Sequence, residues 1–388
     1  MIHVKNGKVY TITKGVIEKG DVIIDKGKIV EVGKGLATPK NAKVIDATGK
    51  IVMPGLIDAH CHVGMWEEGN GWAGDDGNEI TSPSTPQLRA IDAINPDDQG
   101  FIDAYKAGIT AIFTGPGSAN VIGGQSVVMK TGVSHVVDDL IVKDPAGMKM
   151  ALGENPKRCY GSKNQYPSTR MANAAVLREN LYAAKNYLAK KKKGESDPEK
   201  IPDFDMKLDI LSQVLEKKIT VRCHAHRADD IATIIRIKKE FDLDVSIEHA
   251  TDGMKIAPYM AKSGVNAIIG PSLSARVKEE LKDITFETVA AMEKAGVLFA
   301  IMTDAPVIPI NYLPLMVGYA RKHGLTDDGA YKSVTINAAK ICGVDARIGS
   351  LEAGKDADIA IFDGDPFDMK SNCVCTIIDG KVVHTTLK

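Results

Sequence analysis

The chain of 388 residues lacks several features that would assign it to a familiar class. Its six cysteines form no Cys-x-x-Cys pair, and Cys373 and Cys375 face the same side of a predicted strand rather than surrounding a zinc ion. The N-terminus has no basic segment followed by an apolar one, and no later apolar run approaches the length of a membrane span. These absences predict a cytoplasmic protein with reduced thiols.

An excess of charge of one sign is also missing. Lys and Arg number 49 and Asp and Glu 50, so the formal net charge is -1, and both signs are mixed along the chain. Nucleic acid, a membrane surface and an acidic partner are therefore not indicated, and a small-molecule substrate is the expected partner. The glycine-rich stretch at 115–124 either exposes N–H groups to an anion or forms a tight turn, but it lacks the GxxxxGK[ST] spacing of a nucleotide site.

The chain does contain enough apolar residues, 44 % of the total, for a barrel-sized core. Residues 2 to about 53 alternate apolar and polar positions between Gly and Asp-Lys-Gly turns, and the stretch from Gly349 onward has the same pattern. Such alternation is typical of short antiparallel strands joined by tight hairpins. We expect residues 1–53 and 346–388 to pair into one discontinuous β-sandwich.

Between the two ends, short apolar strands alternate with helical patterns. Eight candidate strands lie at 54–62, 108–114, 125–130, 148–152, 219–224, 245–249, 265–269 and 297–302. They predict an α/β fold, a (β/α)8 TIM-like barrel over residues 54–345, with an insertion at about 159–205. The insertion contains a helical run from Met171 to Leu188, and the lysines at 190–193 predict its solvated C-terminal end.

Polar residues follow several of these strands. His60 and His62 end the first strand and share one face of it, so that both can bind one metal ion. His224 ends the fifth strand, His249 the sixth, and Asp304 follows the eighth. Functional groups of a barrel lie where its strands end, and imidazoles with a carboxylate are the ligands that Zn²⁺ prefers. The sequence therefore predicts a divalent metal site at the barrel mouth.

Four segments resemble signatures of the amidohydrolase superfamily, in particular its branch related to imidazolonepropionase. They are PGLIDAHCH at 54–62, IEHATDG at 247–253, MTDAP at 302–306 and IGSLEAGKDADIAIFDGDP at 348–366. The resemblance covers essentially the whole chain and implies a metal-bearing barrel with a flanking β-sandwich. It implies one or two divalent ions, with Zn²⁺ preferred and Fe²⁺ or Mn²⁺ as alternatives. By the same resemblance, the ligands are His60, His62, His224, His249 and Asp304, the last of which also transfers protons.

Binuclear members of the family also carry an anionic bridge between the metals, either a carboxylated lysine or a glutamate. This chain offers Lys149 and Glu154 for that role. By strand alternation Lys149 shares a face with Ala151 and Gly153. An unmodified lysine facing inward would be a buried cation beside metal cations, whereas Glu154 is an anion without modification. The sequence therefore slightly favours Glu154 as the bridging ligand.

The reaction indicated is metal-assisted hydrolysis of a C–N bond by an activated water. Asp304 would accept the proton of the water and return it to the leaving nitrogen, while His226 or a metal opposes the developing oxyanion. Lys157, Arg158 and Arg227 lie just beyond strand ends and could hold a substrate carboxylate. A cyclic amide, an N-acyl amino acid or a dipeptide is the preferred substrate.

Two other functions stay open at this point. The same chemistry would deaminate an aminated heterocycle, and a barrel of this kind could instead serve as a catalytically silent scaffold. The intact set of imidazoles and Asp304 argues against the scaffold. Residues 63–100 are too long and polar for a mere connection, so they are expected to form a lid over the barrel mouth or the interface of a homo-oligomer.

Overall fold

Two eight-stranded sheets account for the strands in residues 1–387, the part of the chain that the computed structural model describes. The strands are β1 (Ile2–Tyr10), β2 (Val16–Asp25), β3 (Lys28–Lys34), β4 (Lys43–Asp46), β5 (Ile51–Pro54), β6 (Leu56–Cys61), β7 (Ile109–Thr114), β8 (Ile122–Lys130), β9 (Ile141–Ala151), β10 (Val221–Ala225), β11 (Val245–His249), β12 (Asn266–Ile269), β13 (Phe299–Ile301), β14 (Ile359–Phe362), β15 (Cys373–Ile378) and β16 (Lys381–Thr385). The helices are α1 (Gln99–Lys106), α2 (Glu154–Gly161), α3 (Arg170–Gly194), α4 (Met206–Leu215), α5 (Ala228–Phe241), α6 (Ala257–Lys262), α7 (Glu287–Ala295), α8 (Leu313–Lys322), α9 (Asp327–Ser333) and α10 (Ile336–Cys342).

The first sheet joins the two ends of the chain, in the order β16-β15-β14-β5-β1-β2-β3 with β4 beside β1. β5 pairs antiparallel with β14, so that Met53 lies opposite Ala360. The hairpin between β2 and β3 turns at Lys26 and Gly27, whose φ angles of 47° and 78° are the positive values that a two-residue type I′ turn requires. Alternate side chains of both ends bury a hydrophobic cluster of their own, which includes Val22, Val52, Ile359 and Ile377.

The second sheet runs in chain order from β6 to β13. Its eight strands coincide with the eight apolar segments expected from the sequence, and the α/β barrel prediction is confirmed. Backbone hydrogen bonds join the first strand to the segment after the last, from His62 N to Ala305 O at 2.7 Å and from Asp304 N to His60 O at 3.3 Å. These bonds complete the ring of strands at the mouth of the barrel, beside the strand-end histidines.

The prediction of a helix between all successive strands is wrong for β7, β8 and β9. β8 runs antiparallel to both of its neighbours. The connections at 115–121 and 131–140 contain no α-helix, although the second includes a single 3₁₀ turn. Parallel neighbours need a crossover of about a dozen residues or more, and these connections are shorter than that. Each short connection therefore reverses the chain direction, and the barrel sheet is mixed rather than fully parallel.

The lower part of the barrel contains an apolar cluster. Ala338 and Ile341 of α10 belong to the same buried cluster as Ala59, Phe113 and Ala300 of the barrel strands. The backbone N–H of Ile57, near the start of β6, donates to the carbonyl of Val334 at 2.8 Å, which holds the segment before α10 at this end. α10 therefore packs against the barrel at the end opposite to the strand-end histidines.

The insertion at about 159–205 is largely helical. Thr169 caps α3, because its side chain accepts a hydrogen bond from Ala172 N at 3.1 Å. The predicted run from Met171 to Leu188 lies within α3, and three lysines lie in its last turn, where cations complement the helix dipole. Among the helices of residues 1–387, none combines the length and apolar character needed to cross a bilayer.

One buried lysine connects the barrel to the first sheet. Lys130 ends β8 and places Nζ 2.5 Å from Asp358, 3.0 Å from Asp356 and 3.1 Å from Asp379. All three carboxylates belong to the C-terminal segment. A buried charge needs several good partners, because the loss of its hydration is costly. This cluster therefore fastens the C-terminal strands to the wall of the barrel.

Candidate metal centre

The first cluster of candidate ligands joins the two ends of the barrel sheet. His60 and His62 come from the end of β6, and Asp304 follows β13. Oδ1 of Asp304 lies 3.2 Å from Nε2 of His60 and 3.2 Å from Nε2 of His62. Asp304 has a positive φ of 57°, a conformation that non-glycine residues rarely adopt and that is often found at functional sites. The three donor atoms are close enough to bind one divalent ion.

The second cluster contains His224, His226 and His249, whose donor atoms lie within 4.8 Å of one another. His249 Nδ1 is 2.9 Å from the carbonyl oxygen of Gly270, and His226 Nδ1 is 2.8 Å from the hydroxyl of Thr251. These contacts orient both rings and leave their Nε2 atoms free to bind an ion. The structure thus adds His226 to the two imidazoles that the sequence predicts as ligands here.

The orientation of His249 toward this cluster departs from the alternation of side-chain directions along β11. Its neighbour Glu248 faces the barrel interior, so on a regular strand the imidazole of His249 would face outward. The chain instead has positive φ angles of 72° at His249 and 47° at Ala250. This local turn brings the imidazole to the mouth, and strand periodicity alone cannot predict it.

Glu248 is a buried carboxylate beneath the first cluster that the sequence interpretation missed. Its Oε2 lies 2.7 Å from His60 Nδ1, and its Oε1 accepts a hydrogen bond from Arg222 Nε at 2.6 Å. Burial alone would raise the pKa of Glu248, but Arg222 and His60 outweigh burial and hold that pKa far below its usual range. An ionised Glu248 favours the tautomer of His60 with hydrogen on Nδ1, which leaves Nε2 for a metal.

Asp58 is a second buried carboxylate near the first cluster. Its Oδ1 accepts from His60 N at 3.1 Å, and its Oδ2 accepts from Thr303 N at 3.2 Å. Burial raises the pKa of Asp58 to about 6, although these hydrogen bonds oppose the shift. Asp58 therefore ties the end of β6 to the segment that carries Asp304.

The protonation of the site suits metal binding. Burial lowers the pKa of His224 to about 4 and also lowers the pKa values of His62, His226 and His249. For Asp304, burial would raise the pKa, but the surrounding imidazoles, His249 foremost, hold it well below its usual range. At neutral pH these four imidazoles are therefore neutral and Asp304 is anionic, the forms that bind divalent metals.

The structure reverses the preference between the two candidate bridging residues. Lys149 is buried on β9, and its Nζ lies 3.4 Å from Nε2 of His60. Glu154 is the first residue of α2 and does not line the cavity at the barrel mouth. Alternation along β9 continues to the strand end, so Lys149 keeps its inward face, whereas the positive φ of 85° at Gly153 turns the chain before Glu154. The geometry favours Lys149.

Of the three cations expected to bind a substrate carboxylate, only Arg158 lines the cavity. Arg227 instead pairs with Asp229, with Nη2 to Oδ2 at 2.8 Å, and Lys157 is exposed. Arg227 immediately precedes α5, so it lies beside the acidic first turn of that helix. Proximity to a strand end was therefore insufficient to place Lys157 and Arg227 at the site.

The cavity at the mouth has a volume of about 250 Å³. Besides His62, Asp304 and the three imidazoles of the second cluster, it is lined by Trp66, Ser118, Lys149, Asn155, Arg158, Pro271, Ser274, Val277, Lys278, Leu281 and Val307. Lys278 and its buried neighbour Glu280 were missed by the sequence interpretation. Glu280 lies in a 3₁₀ turn (Glu279–Leu281) between β12 and α7, outside any strand end or recognisable motif, so no sequence signal marks it.

Comparison with known proteins places this site in a family context. Residues 51–383 match the profile of the amidohydrolase family. The amidohydrolase tasK of Hapsidospora irregularis is 27 % identical over 93 % of this chain, which spans 39 % of that relative's length. The imidazolonepropionase of Fusobacterium nucleatum subsp. nucleatum is 26 % identical, with 89 % of this chain and 85 % of that protein covered. The crystal structure of an amidohydrolase from Thermotoga maritima MSB8 is 45 % identical and has a TM-score of 0.96, covering 99 % of this chain and 100 % of that one.

Proposed function

Since the chain belongs to the amidohydrolase family, we propose that it is a metal-dependent hydrolase of a C–N bond in a small molecule. The observation that carries the proposal is the position of Asp304, whose Oδ1 lies 3.2 Å from Nε2 of both His60 and His62. Three protein donors with one open position are typical of catalytic zinc sites. Zn²⁺ is therefore the preferred ion, with Fe²⁺ and Mn²⁺ as alternatives, at one or two ions per chain.

The donors fit an ion because one of them has no other partner. Nδ1 of His224 is buried without a hydrogen bond. Buried polar atoms of this kind are rare in folded proteins, since each costs the free energy of its lost hydration. A divalent ion at the mouth would supply the missing partner for such atoms.

An ion bound here would lower the pKa of a water molecule from ~16 toward ~7 and polarise the scissile carbonyl. Asp304 is positioned to accept the proton of that water and to return it to the leaving nitrogen. Its carboxylate faces both imidazoles of β6, and its backbone N–H donates to the carbonyl of His60 at 3.3 Å. These contacts hold the proton acceptor in one orientation, as efficient proton transfer requires.

The cavity favours a small substrate that carries a carboxylate. Arg158 supplies a cation at the rim, and Trp66, Val277 and Leu281 supply apolar surface. A cyclic amide, an N-acyl amino acid or a dipeptide could direct its carboxylate to Arg158 and its scissile bond to Asp304. We propose this substrate class, with deamination of an aminated heterocycle as the alternative outcome of the same test.

The test is to screen these four compound classes with the enzyme loaded with Zn²⁺, Fe²⁺ or Mn²⁺. We expect hydrolysis of at least one carboxylate-bearing amide, and a loss of about three orders of magnitude in kcat for Asp304→Asn, because an amide cannot relay a proton. Asp328→Asn, at an exposed position in α9, should behave as the wild type. Turnover by Asp304→Asn at the wild-type rate, or no turnover of any compound by loaded wild type, would refute the mechanism.

The compartment proposed for this enzyme is the cytoplasm. All six cysteines are unpaired, and Cys61, Cys223, Cys342 and Cys375 are buried. Free thiols persist in a reducing compartment, which supports the proposal. Identification of the protein in a cytoplasmic fraction would test it.

A further inference from the structure

Two polar side chains of the cavity are joined by one amide group. Nζ of Lys278 donates to Oδ1 of Asn155 at 3.0 Å, and Nδ2 of Asn155 donates to Oγ of Ser118 at 2.8 Å. All three residues line the cavity at the barrel mouth. An ammonium group can only donate, so the amide atom that faces Lys278 must be the oxygen, and the amide nitrogen must face Ser118.

This direction of the hydrogen bonds leaves two hydrogens available. Oγ of Ser118 accepts from Asn155, so the hydroxyl hydrogen of Ser118 is not used in that contact. Lys278 has three N–H groups, of which one is directed at Asn155 and another at Oε1 of Glu280, 3.0 Å away. Within residues 1–387, neither group donates a further hydrogen bond. Each can therefore donate one hydrogen bond to a ligand in the cavity.

Arg158 adds a positive charge beside these donors. It lies three residues after Asn155 in α2, so the two side chains are neighbours on one face of that helix, and both line the cavity. The charge of Lys278 is balanced by Glu280, whereas Arg158 forms no ion pair in the part of the chain that the structure describes. Arg158 therefore supplies positive charge that no protein carboxylate neutralises.

We propose that Ser118, Lys278 and Arg158 form one subsite that binds the carboxylate of the substrate. The groups available there are hydrogen-bond donors with an uncompensated positive charge, which suits an anion. A carboxylate is planar, like the amide of Asn155 that already spans two of these residues, so its oxygens can accept from both at once. The inference rests on the proposed function, and it favours the carboxylate-bearing amides over the aminated heterocycle as substrates.

The position of Ser118 is fixed by its neighbours in the chain. Gly117 N donates to the carbonyl of Gly77 at 2.7 Å, and Ala119 N donates to Oδ1 of Asn78 at 2.9 Å. These two N–H groups of the glycine-rich stretch are thus bonded within the protein, and the side chain of Ser118 is the donor that remains for an anion. A donor that is ordered before binding loses less conformational entropy when the ligand binds.

The position of Lys278 is fixed by Glu280. Oε2 of Glu280 accepts from the backbone N–H of Glu154 at 3.0 Å and lies 3.7 Å from Nη2 of Arg170. The side chain of Glu280 is only 1 % exposed and that of Lys278 12 %, so solvent screens their ion pair little. The ammonium group is therefore held at the cavity wall, with a small part of its surface accessible to a ligand.

The experiment compares acids with neutral amides of nearly the same shape. Isothermal titration calorimetry measures the binding of N-acetylglycine, N-acetyl-L-leucine, N-acetyl-L-proline and their primary amides to the full-length, metal-loaded Asp304→Asn protein, which is used to prevent turnover of the probes. We expect at least one acid to bind about 10-fold more tightly than its amide. Lys278→Met or Ser118→Ala, added to this protein, should each reduce that preference at least about threefold.

Lys282→Met and Ser162→Ala are the matched controls, because both side chains are exposed and neither lines the cavity. Both controls should keep the preference for the acid. Asn155 is left unchanged, since its Nδ2 also lies 3.4 Å from Nε2 of His224 and a substitution there would affect the second imidazole cluster.

Thermal unfolding and elemental analysis show whether each variant is folded and retains its metal, and Ser118→Ala carries the test if Lys278→Met does not fold. Equal affinity for acids and amides, or no binding of any acid at millimolar concentrations, would overturn this inference. A preference that neither substitution reduces would also overturn it, because the carboxylate would then be bound by a metal or by Arg158 alone. These results leave the proposed function intact, since metal content and turnover test that function separately.

Discussion

Nδ1 of His60 lies 2.7 Å from Oε2 of Glu248, and both side chains are buried inside the barrel. The contact continues to Arg222, whose guanidinium is stacked 3.6 Å from the ring centroid of Phe113 and donates to the carbonyl of Ala59 at 2.6 Å. A buried chain of arginine, carboxylate and imidazole thus leads to His60, whose Nε2 is the nitrogen proposed to bind a metal. It holds the imidazole ring from the side opposite to Nε2, as outer contacts of metal ligands do.

Glu248→Gln should therefore weaken metal binding at the first cluster by about 10- to 100-fold, because the amide no longer fixes the tautomer of His60. It should also lower the free energy of unfolding by about 3 kcal/mol, since Arg222 would remain buried without its counter-charge. Chelator titration and urea unfolding measure the two effects. Glu240→Gln, which changes a surface pair with Arg178, is the control. Wild-type metal affinity in Glu248→Gln would contradict the assigned role.

The placement of Lys149 gives a second prediction. Lys149→Ala should lose metal, whereas Glu154→Ala should keep the wild-type amount, because only Lys149 approaches His60. If Lys149 is carboxylated, metal-stripped wild type should recover its metal fully only when bicarbonate is added. Elemental analysis of both variants shows which of the two residues is needed for metal binding. Loss of metal only in Glu154→Ala would restore the preference for glutamate that the sequence suggested.

The cluster around Asp356 predicts how stability depends on pH. Asp356 is buried and contacts Lys28, Lys130 and Arg347. Burial favours its neutral form, but the three cations outweigh burial and lower the pKa of Asp356 to about 2, from an ordinary value of 3.8. A lowered carboxylate pKa stabilises the fold above about pH 4, and this contribution is lost as the pH falls toward 2.

Asp356→Asn should accordingly be less stable than the wild type at pH 6 by about 2 kcal/mol. The difference should shrink as the pH falls from 4 to 3. Urea unfolding at pH 6, 4 and 3 provides the measurement, and Asp345→Asn, a half-buried carboxylate of the same C-terminal region, provides the control. A difference that stays constant over this range would show that the charge of Asp356 contributes nothing.

The fold and the proximity of the first three candidate ligands were predictable because both depend on strand periodicity. Alternation places His60 and His62 on one face of a strand, and the barrel rule places Asp304 at the same mouth. The family resemblance was confirmed by the match over residues 51–383. The antiparallel direction of β8 was not predicted, although the short connections on either side of it carried the information.

The remaining parts of the site depend on contacts between segments that are distant in sequence. Glu280 reaches His224 from a loop turn, and no periodic pattern marks it. His249 faces the mouth only because of the positive φ angles at the end of β11. Arg227 and Lys157 are the opposite case, since they follow strand ends but do not line the cavity. Such residues are fixed by tertiary packing and local backbone geometry rather than by spacing.

The measurement that tests the central claim most directly is the metal content of the freshly purified protein and of the His60→Asn, His62→Asn double variant. We expect one or two equivalents of Zn²⁺, Fe²⁺ or Mn²⁺ per wild-type chain, and loss of at least one of them in the double variant with the fold retained, as shown by an unchanged circular dichroism spectrum. A wild-type protein that contains no metal and takes none up on addition would contradict the account.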